Sequence, residues 1–194
     1  MPAPRATKLV KLNKIYTRTG DRGTAGLVDG SRVSKSSARM HAIGEVDEAN
    51  SAIGVAITLL KDEHAARLTR VQNELFDLGA DIATPGDMEG ALRIVPRQLE
   101  RLEEEIDAMN ADLSPLTSFI LPGGSAAVAA LHLARAIVRR AERAVVALAA
   151  EGEVNDHVLA YLNRLSDHLF VSARHVAAGQ GGDVLWQPGA TRES

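Results

Sequence analysis

The chain has 194 residues, 45 % of them hydrophobic, with 22 basic against 25 acidic residues for a net charge of -3, and no cysteine. That is enough apolar material for one domain with a substantial core. The near-neutral balance gives no global attraction to nucleic acid or to an anionic membrane, so any basic site must be local. Disulfides, thiolate metal sites and cysteine nucleophiles are excluded, and aromatics at only 3 % beside many alanines and leucines favour helices packed closely on helices.

Histidine spacing removes two metal-site classes. The residues three positions before the six histidines are Ala38, Lys61, Ala129, Val154, Leu165 and Ser172, so the Glu-x-x-His pattern of di-iron bundles is absent, as is His-Glu-x-x-His. No run approaches the roughly 18 apolar residues of a membrane span. The start, Met1-Pro-Ala-Pro-Arg-Ala-Thr-Lys, lacks the apolar core of a secretory leader, so the expected location is cytoplasmic.

In chain order, residues 1–37 carry no sustained helical period and read as an extended arm. A strand-like piece, Lys14 to Arg18, precedes Thr19-Gly20-Asp21-Arg22-Gly23-Thr24-Ala25-Gly26-Leu27, whose glycines favour turns with exposed amides. With Thr17, Thr19, Thr24, Arg18, Arg22 and Lys35 the arm suits a polyphosphate, although no Walker or Gly-x-Gly-x-x-Gly spacing is present and a solvated arm has the same composition.

Apolar residues recur at helical spacing over 40–60 (Ile43, Val46, Ile53, Ile57, Leu60) and over 63–82 (Leu68, Val71, Leu75, Leu78, Ile82), the latter stopped by Thr84-Pro85-Gly86. After a loop to Val95, Pro96 opens a third helix with Leu99, Leu102, Ile106 and Met109 inward; its Glu103-Glu104-Glu105 run reads as a solvated face. Between the third and fourth helices lies Phe119-Ile120-Leu121-Pro122-Gly123-Gly124-Ser125. Here Phe119 reads as a staple closing the bundle end, and Ser125 as N-cap of a helix over 126–150.

That fourth helix contains Arg135-Ala-Ile-Val-Arg139-Arg140-Ala-Glu142-Arg143. On a helix Arg135, Arg139 and Glu142 fall within roughly 60° of one another, beside the stripe of Ala130, Ala134, Ile137, Val138, Ala141 and Val145. Arginine cannot lose its charge when desolvated, so this edge calls for an anion or an acidic partner unless intrahelical pairs such as Arg139 with Glu142 or Arg143 solvate it. A fifth helix over 156–178 turns Val158, Leu162, Leu165, Leu169 and Val176 inward. The glycine-rich tail that follows has Trp186 as its only residue able to anchor by burial. Together these elements give an all-α, five-helix antiparallel bundle over 38–179, with an extended N-terminal arm over 1–37 and a tail over 180–194.

Four blocks resemble the PduO-type ATP:cob(I)alamin adenosyltransferases: Lys14 to Gly23; Gly44-Glu-Val-Asp47-Glu-Ala-Asn50; Phe119-Ile-Leu-Pro-Gly-Gly124; and Arg135 to Arg143 with Asn163-Arg-Leu-Ser-Asp167. The resemblance implies a ferritin-like five-helix bundle assembled as a homotrimer. Its substrates would be ATP, Mg²⁺ and cob(I)alamin or cob(II)alamin, and its products adenosylcobalamin and tripolyphosphate. A reductase and a cobalamin-dependent acceptor enzyme would be its protein partners, with no nucleic acid and no membrane.

By the same resemblance Thr17, Arg18, Thr19, Gly20, Asp21, Gly23, Thr24 and Lys35 contact nucleotide and phosphate. Arg139 meets the polyphosphate, Glu142 and Asn163 position nucleotide and magnesium, and Arg135 pairs with Asp47 of a neighbouring subunit. Phe119 would block the lower face of the corrinoid, which replaces the staple reading of that residue. One position departs: where the family has threonine in Gly-x-Thr-x-Leu, this chain has Ala25, and Thr24 is the candidate substitute. The alternative function is a catalytically weakened adenosylcobalamin carrier or ATP-sensing bundle.

Overall fold

Five amphipathic stretches set the architecture, and a computed structural model describes residues 15–192 of the chain. The helices are α1 (Ala38–Ile57), α2 (Asp62–Ile82), α3 (Pro96–Asn110), α4 (Ala126–Glu151) and α5 (Asp156–Ala178), close to the expected bounds. Their starts are fixed locally. Ser37 Oγ accepts from the Met40 N–H, Ser125 Oγ from that of Val128, and Asn155 Oδ1 from that of His157, each satisfying an otherwise orphan first-turn amide. At α3 the Gln98 side chain accepts from the Val95 N–H at 2.9 Å, and Pro96 needs no donor there.

α1 packs on α2 and α4, α5 packs on α4 and α3, and a small contact of α2 with α5 closes the bundle. Buried alanines run along both α1 (Ala42, Ala49, Ala56) and α4 (Ala134, Ala141, Ala144), small residues that let helix axes approach. Ile53, Leu68, Leu75, Leu78, Leu131, Leu162, Leu165 and Tyr161 belong to the same buried core. Ile43, Ile57, Leu60, Leu99, Ala130, Ile137 and Val176, all expected inward, sit partly buried at the core's rim.

Three expectations are corrected. Residues 15–18 form no strand, and Lys14 lies outside the described residues. Arg18 takes a left-handed φ of 61°, a conformation that bends the chain out of any extended ladder. The strands are instead β1 (Thr24–Gly26) and β2 (Arg32–Ser34), paired antiparallel with Ala25 opposite Val33. Glu105 is not on a solvated face: at 11 % side-chain exposure it meets Arg70, Arg101 and His168, while Arg101 also pairs with Glu74, which accepts from the Tyr161 hydroxyl. Trp186 is 42 % exposed, so burial does not anchor the tail. No helix among the described residues is long and apolar enough to cross a membrane.

Candidate functional site

Arg135, Arg139 and Glu142 stand one turn apart along α4, and Asn163, Asp167 and Phe170 do the same on α5. A cavity of about 800 Å³ opens between these helices and the loop before α4, lined by Arg135, Arg139, Asp167, Phe170, Phe119 and Trp186 among others. The α4 arginines and the loop phenylalanine, distant in sequence, thus share one space.

The walls differ in character. Phe119 is 78 % exposed, so its ring is available to a ligand; the staple reading fails because a staple would have to be buried against the helices. The Trp186 ring lies 6.0 Å from it at 58°. The Arg135 guanidinium sits 5.7 Å from the centroid of Phe170, with its Nε buried and without a hydrogen-bond partner among the described residues. Burial, then the charge of Arg139, pulls the Arg135 pKa down, and Asp167 pushes it back up; the group stays cationic all the same. One turn earlier, buried His132 packs 6.3 Å from Phe170, with neither ring nitrogen partnered among the described residues. Burial and the charge of Arg135 lower its pKa, which keeps the imidazole neutral near pH 7.

Of the intrahelical pairs open to the arginine edge, Arg139 with Glu142 does not form. Arg140 reaches across to α1, with Nε 2.5 Å from Glu45 and an amine on Glu48. Arg143 donates to the Arg139 carbonyl at 2.9 Å, and Glu142 accepts from Asn163 at 3.0 Å. Arg139 is exposed, with no acidic partner among the described residues. Asp47 is exposed on α1 and forms no ion pair with Arg135 within the chain; its carbonyl accepts from Ser51 Oγ.

The arm residues gather elsewhere. Thr17 and Thr19 hydroxyls lie 2.8 Å apart, the Gly23 N–H donates to Gly20, and the Lys35 N–H donates to Gly23. A Cβ on Gly20 would stand 3.2 Å from Lys35 Nζ, so the glycine admits that ammonium beside the turn. Arg32 braces the turn through Thr19 O, Thr24 O and Thr24 Oγ1. The Thr24 hydroxyl oxygen is therefore engaged by Arg32, with its proton left to donate. Asp21 is exposed in the same turn.

Lys35 lines a separate hollow with Glu45, Glu48 and Glu151 at the C-terminal end of α4, and no described arm residue lines the arginine cavity. From Arg139 to Glu151 is roughly 18 Å along the helix. Sequence reasoning missed Phe170 and Trp186 as site residues. The signal for Phe170 was its spacing, three residues beyond Asp167 on the same helical face; nothing in the sequence tied Trp186 to Phe119.

The family model for cobalamin adenosyltransferases matches residues 15–176. The corrinoid adenosyltransferase of Mycobacterium tuberculosis is 49 % identical over 190 residues, covering 94 % of this chain and 97 % of its own length. The cobalamin adenosyltransferase of Cupriavidus metallidurans is 50 % identical over 180 residues, covering 91 % and 96 %. Among solved structures, an alanine-for-phenylalanine variant of the PduO-type ATP:corrinoid adenosyltransferase from Lactobacillus reuteri, complexed with cobalamin and ATP, matches with a TM-score of 0.84 at 38 % identity, covering 90 % of this chain and 99 % of that one. A lysine-for-arginine variant of the same protein, complexed with ATP, matches with the same score and identity and covers all of that chain. Arginines and an exposed phenylalanine around one cavity, on a bundle whose length is matched nearly throughout, place this chain in the cobalamin adenosyltransferase family.

Proposed function

We propose that the cavity between α4 and α5 holds the corrinoid against Phe119 and the phosphate end of ATP against Arg139, in an enzyme that transfers the 5′-deoxyadenosyl group of ATP to cob(I)alamin. The observation that carries this reading is that Arg135, Arg139 and Phe119 line one space. The engineered phenylalanine and arginine of the Lactobacillus reuteri relative stand twenty positions apart, the separation of Phe119 and Arg139 here, which supports the same pair of roles.

The reaction is a displacement at carbon. The cobalt electron pair of cob(I)alamin attacks C5′ of ATP, the cobalt–carbon bond forms as the C5′–O bond breaks, and tripolyphosphate leaves with the bonding electrons. The substrate is itself the nucleophile, so the chain needs no serine or general base. Its task is to stabilise charge growing on the leaving group, which suits the planar, permanently charged fork of Arg139. Mg²⁺ fits the donor set as an ion held chiefly by the phosphates. Glu142 Oε1 is engaged by Asn163, which leaves Oε2 as a protein ligand. Bound there, the ion would neutralise phosphate charge.

When cob(II)alamin is the starting form, an electron from a reductase must precede transfer. The exposed Phe119 ring would take the space of the lower axial ligand and make that reduction easier. A cobalamin-dependent enzyme would accept the product.

The separation of the arm from Arg139 supports a site completed between subunits of a homotrimer. In that arrangement Thr17, Arg18, Thr19, Gly20, Asp21, Gly23, Thr24 and Lys35 of one chain meet nucleotide held by Arg139, Glu142 and Asn163 of the next. Residues 1–37 then serve as a nucleotide arm, 38–179 as the bundle and 180–194 as a tail. Exposed Asp47 and partner-poor Arg135 are the pair that would meet across the boundary.

Incubation with ATP, Mg²⁺ and chemically reduced cobalamin is expected to yield adenosylcobalamin and tripolyphosphate. Tight binding of either substrate without product would overturn the enzyme reading and leave a carrier or sensor.

A further inference from the structure

The segment after α5 turns back to the Phe119 loop and is fastened there by charge rather than by burial. Asp183 Oδ2 accepts from Arg174 Nε at 3.0 Å, and the same guanidinium donates through Nη2 to the Ser114 carbonyl at 2.8 Å. Both side chains are largely withdrawn from water, at 9 % and 16 % exposure. A shielded ion pair of this kind is weak evidence for net stability and better evidence for a fixed arrangement, because its desolvation cost offsets much of its attraction.

From Asp183 the chain runs antiparallel to the loop. The Leu121 N–H donates to the Val184 carbonyl at 2.8 Å, the Trp186 N–H to the Phe119 carbonyl at 2.7 Å, and the Ser118 hydroxyl to the Trp186 carbonyl at 2.8 Å, with Ile120 bridged to Leu185. The Phe119 and Trp186 rings meet within the range of tilted aromatic pairs. Neither ring is gripped by the core, at 78 % and 42 % exposure. The direction of Phe119 therefore depends on the tail.

We infer that Arg174 and Asp183 are positioning residues: together they latch the C-terminal segment onto the 118–121 loop, so that Trp186 sets the orientation of the Phe119 ring. The inference rests on the reading of this cavity as the corrinoid site. Neither latch residue touches the cavity, and both act through Trp186. With the latch open, the Phe119 ring explores several rotamers and spends less time where a corrinoid face would need it.

Trp186 is the only tryptophan in the chain, so its emission reports the latch without any substrate. Asp183→Asn is expected to shift that emission to the red and to increase its quenching by acrylamide, and Asp183→Glu to restore both. In turnover started from cob(II)alamin, Asp183→Asn is expected to raise the half-saturation for corrinoid roughly 5- to 30-fold while that for ATP stays put. Trp186→Ala is expected to reproduce the corrinoid effect, and Trp186→Phe, which keeps a ring, to retain most of the wild-type value.

Wild-type emission and quenching in Asp183→Asn would overturn the latch, as would a wild-type corrinoid half-saturation in Trp186→Ala. A wild-type protein that makes no adenosylcobalamin from chemically reduced cobalamin would instead overturn the proposed function and leave the fluorescence result standing.

Discussion

Arg135 lies over the face of Phe170, its guanidinium carbon 5.7 Å from the ring centroid, and its buried Nε has no hydrogen-bond partner among the described residues. A cation held by an aromatic face, with Asp167 as its nearby acid, is incompletely compensated. Its neighbour Arg139 is exposed, and its side chain has no acidic partner among the described residues; its carbonyl accepts from the Arg143 side chain. A side chain that contributes so little to its own fold is free to serve a ligand. Arg139→Lys is therefore expected to leave the urea unfolding midpoint unchanged and to reduce kcat roughly 10- to 100-fold, the scale of one lost charge-assisted bond. Unaltered kcat would remove Arg139 from the phosphate site.

Phe119 offers a different separation of effects. At 78 % exposure its ring adds little to the core, so Phe119→Ala should not lower thermal stability by more than about 0.5 kcal/mol. ATP binding, measured by calorimetry, is expected to stay near wild type. Turnover starting from cob(II)alamin is expected to fall severely, and turnover starting from cob(I)alamin, which carries no lower ligand to displace, much less. Equal rates from cob(II)alamin in wild type and variant would return the ring to a packing role.

The helices were legible because each is written locally. Ser125 and Pro96 mark starts, Thr84-Pro85-Gly86 marks a stop, and Leu68, Leu75 and Leu78 recur at the helical period. The hairpin was not, because its strands have three residues each and are held by the Arg32 side chain and by the Val28 N–H on the Ala83 carbonyl. Glu105 misled for a similar reason: Glu103, Glu104 and Glu105 look alike in sequence, yet only Glu105 faces Arg70, Arg101 and His168, which come from three different helices. The arginine edge was legible as a demand for anions. That Phe170 and Trp186 would wall the same cavity was not, since the bond from Ser118 to Trp186 spans 68 residues of chain.

Asp47 tests the subunit boundary. It is exposed and its side chain forms no ion pair among the described residues, so Asp47→Asn should leave the helical content of the chain intact. If it meets Arg135 of a neighbour, the variant is expected to lose trimer in sedimentation or to lose turnover, since leaving a partly buried charge unpaired costs several kcal/mol. Wild-type behaviour in both measurements would rule out the pair.

Glu105 links the fold to pH. Burial pushes its pKa up, but hydrogen bonds from His168 and Arg101 outweigh that and hold it at about 2, below the ordinary glutamate value of 4.5. A depressed carboxyl pKa stabilises the folded state above the unfolded pKa, and that contribution is lost as pH falls toward the folded pKa. For a side chain only 11 % exposed, the shift corresponds to about 3 kcal/mol at neutral pH. Glu105→Gln keeps the shape but gives up the charge and leaves Arg101 and Arg70 less compensated. It is expected to lower the melting temperature at pH 7 by roughly 5 to 10 °C. The difference between variant and wild type should persist down to about pH 4.5 and shrink steadily toward pH 2. Urea titrations at pH 7 and pH 3 would show it: a gap of equal size at both would mean that Glu105 stabilises by packing rather than by its charge.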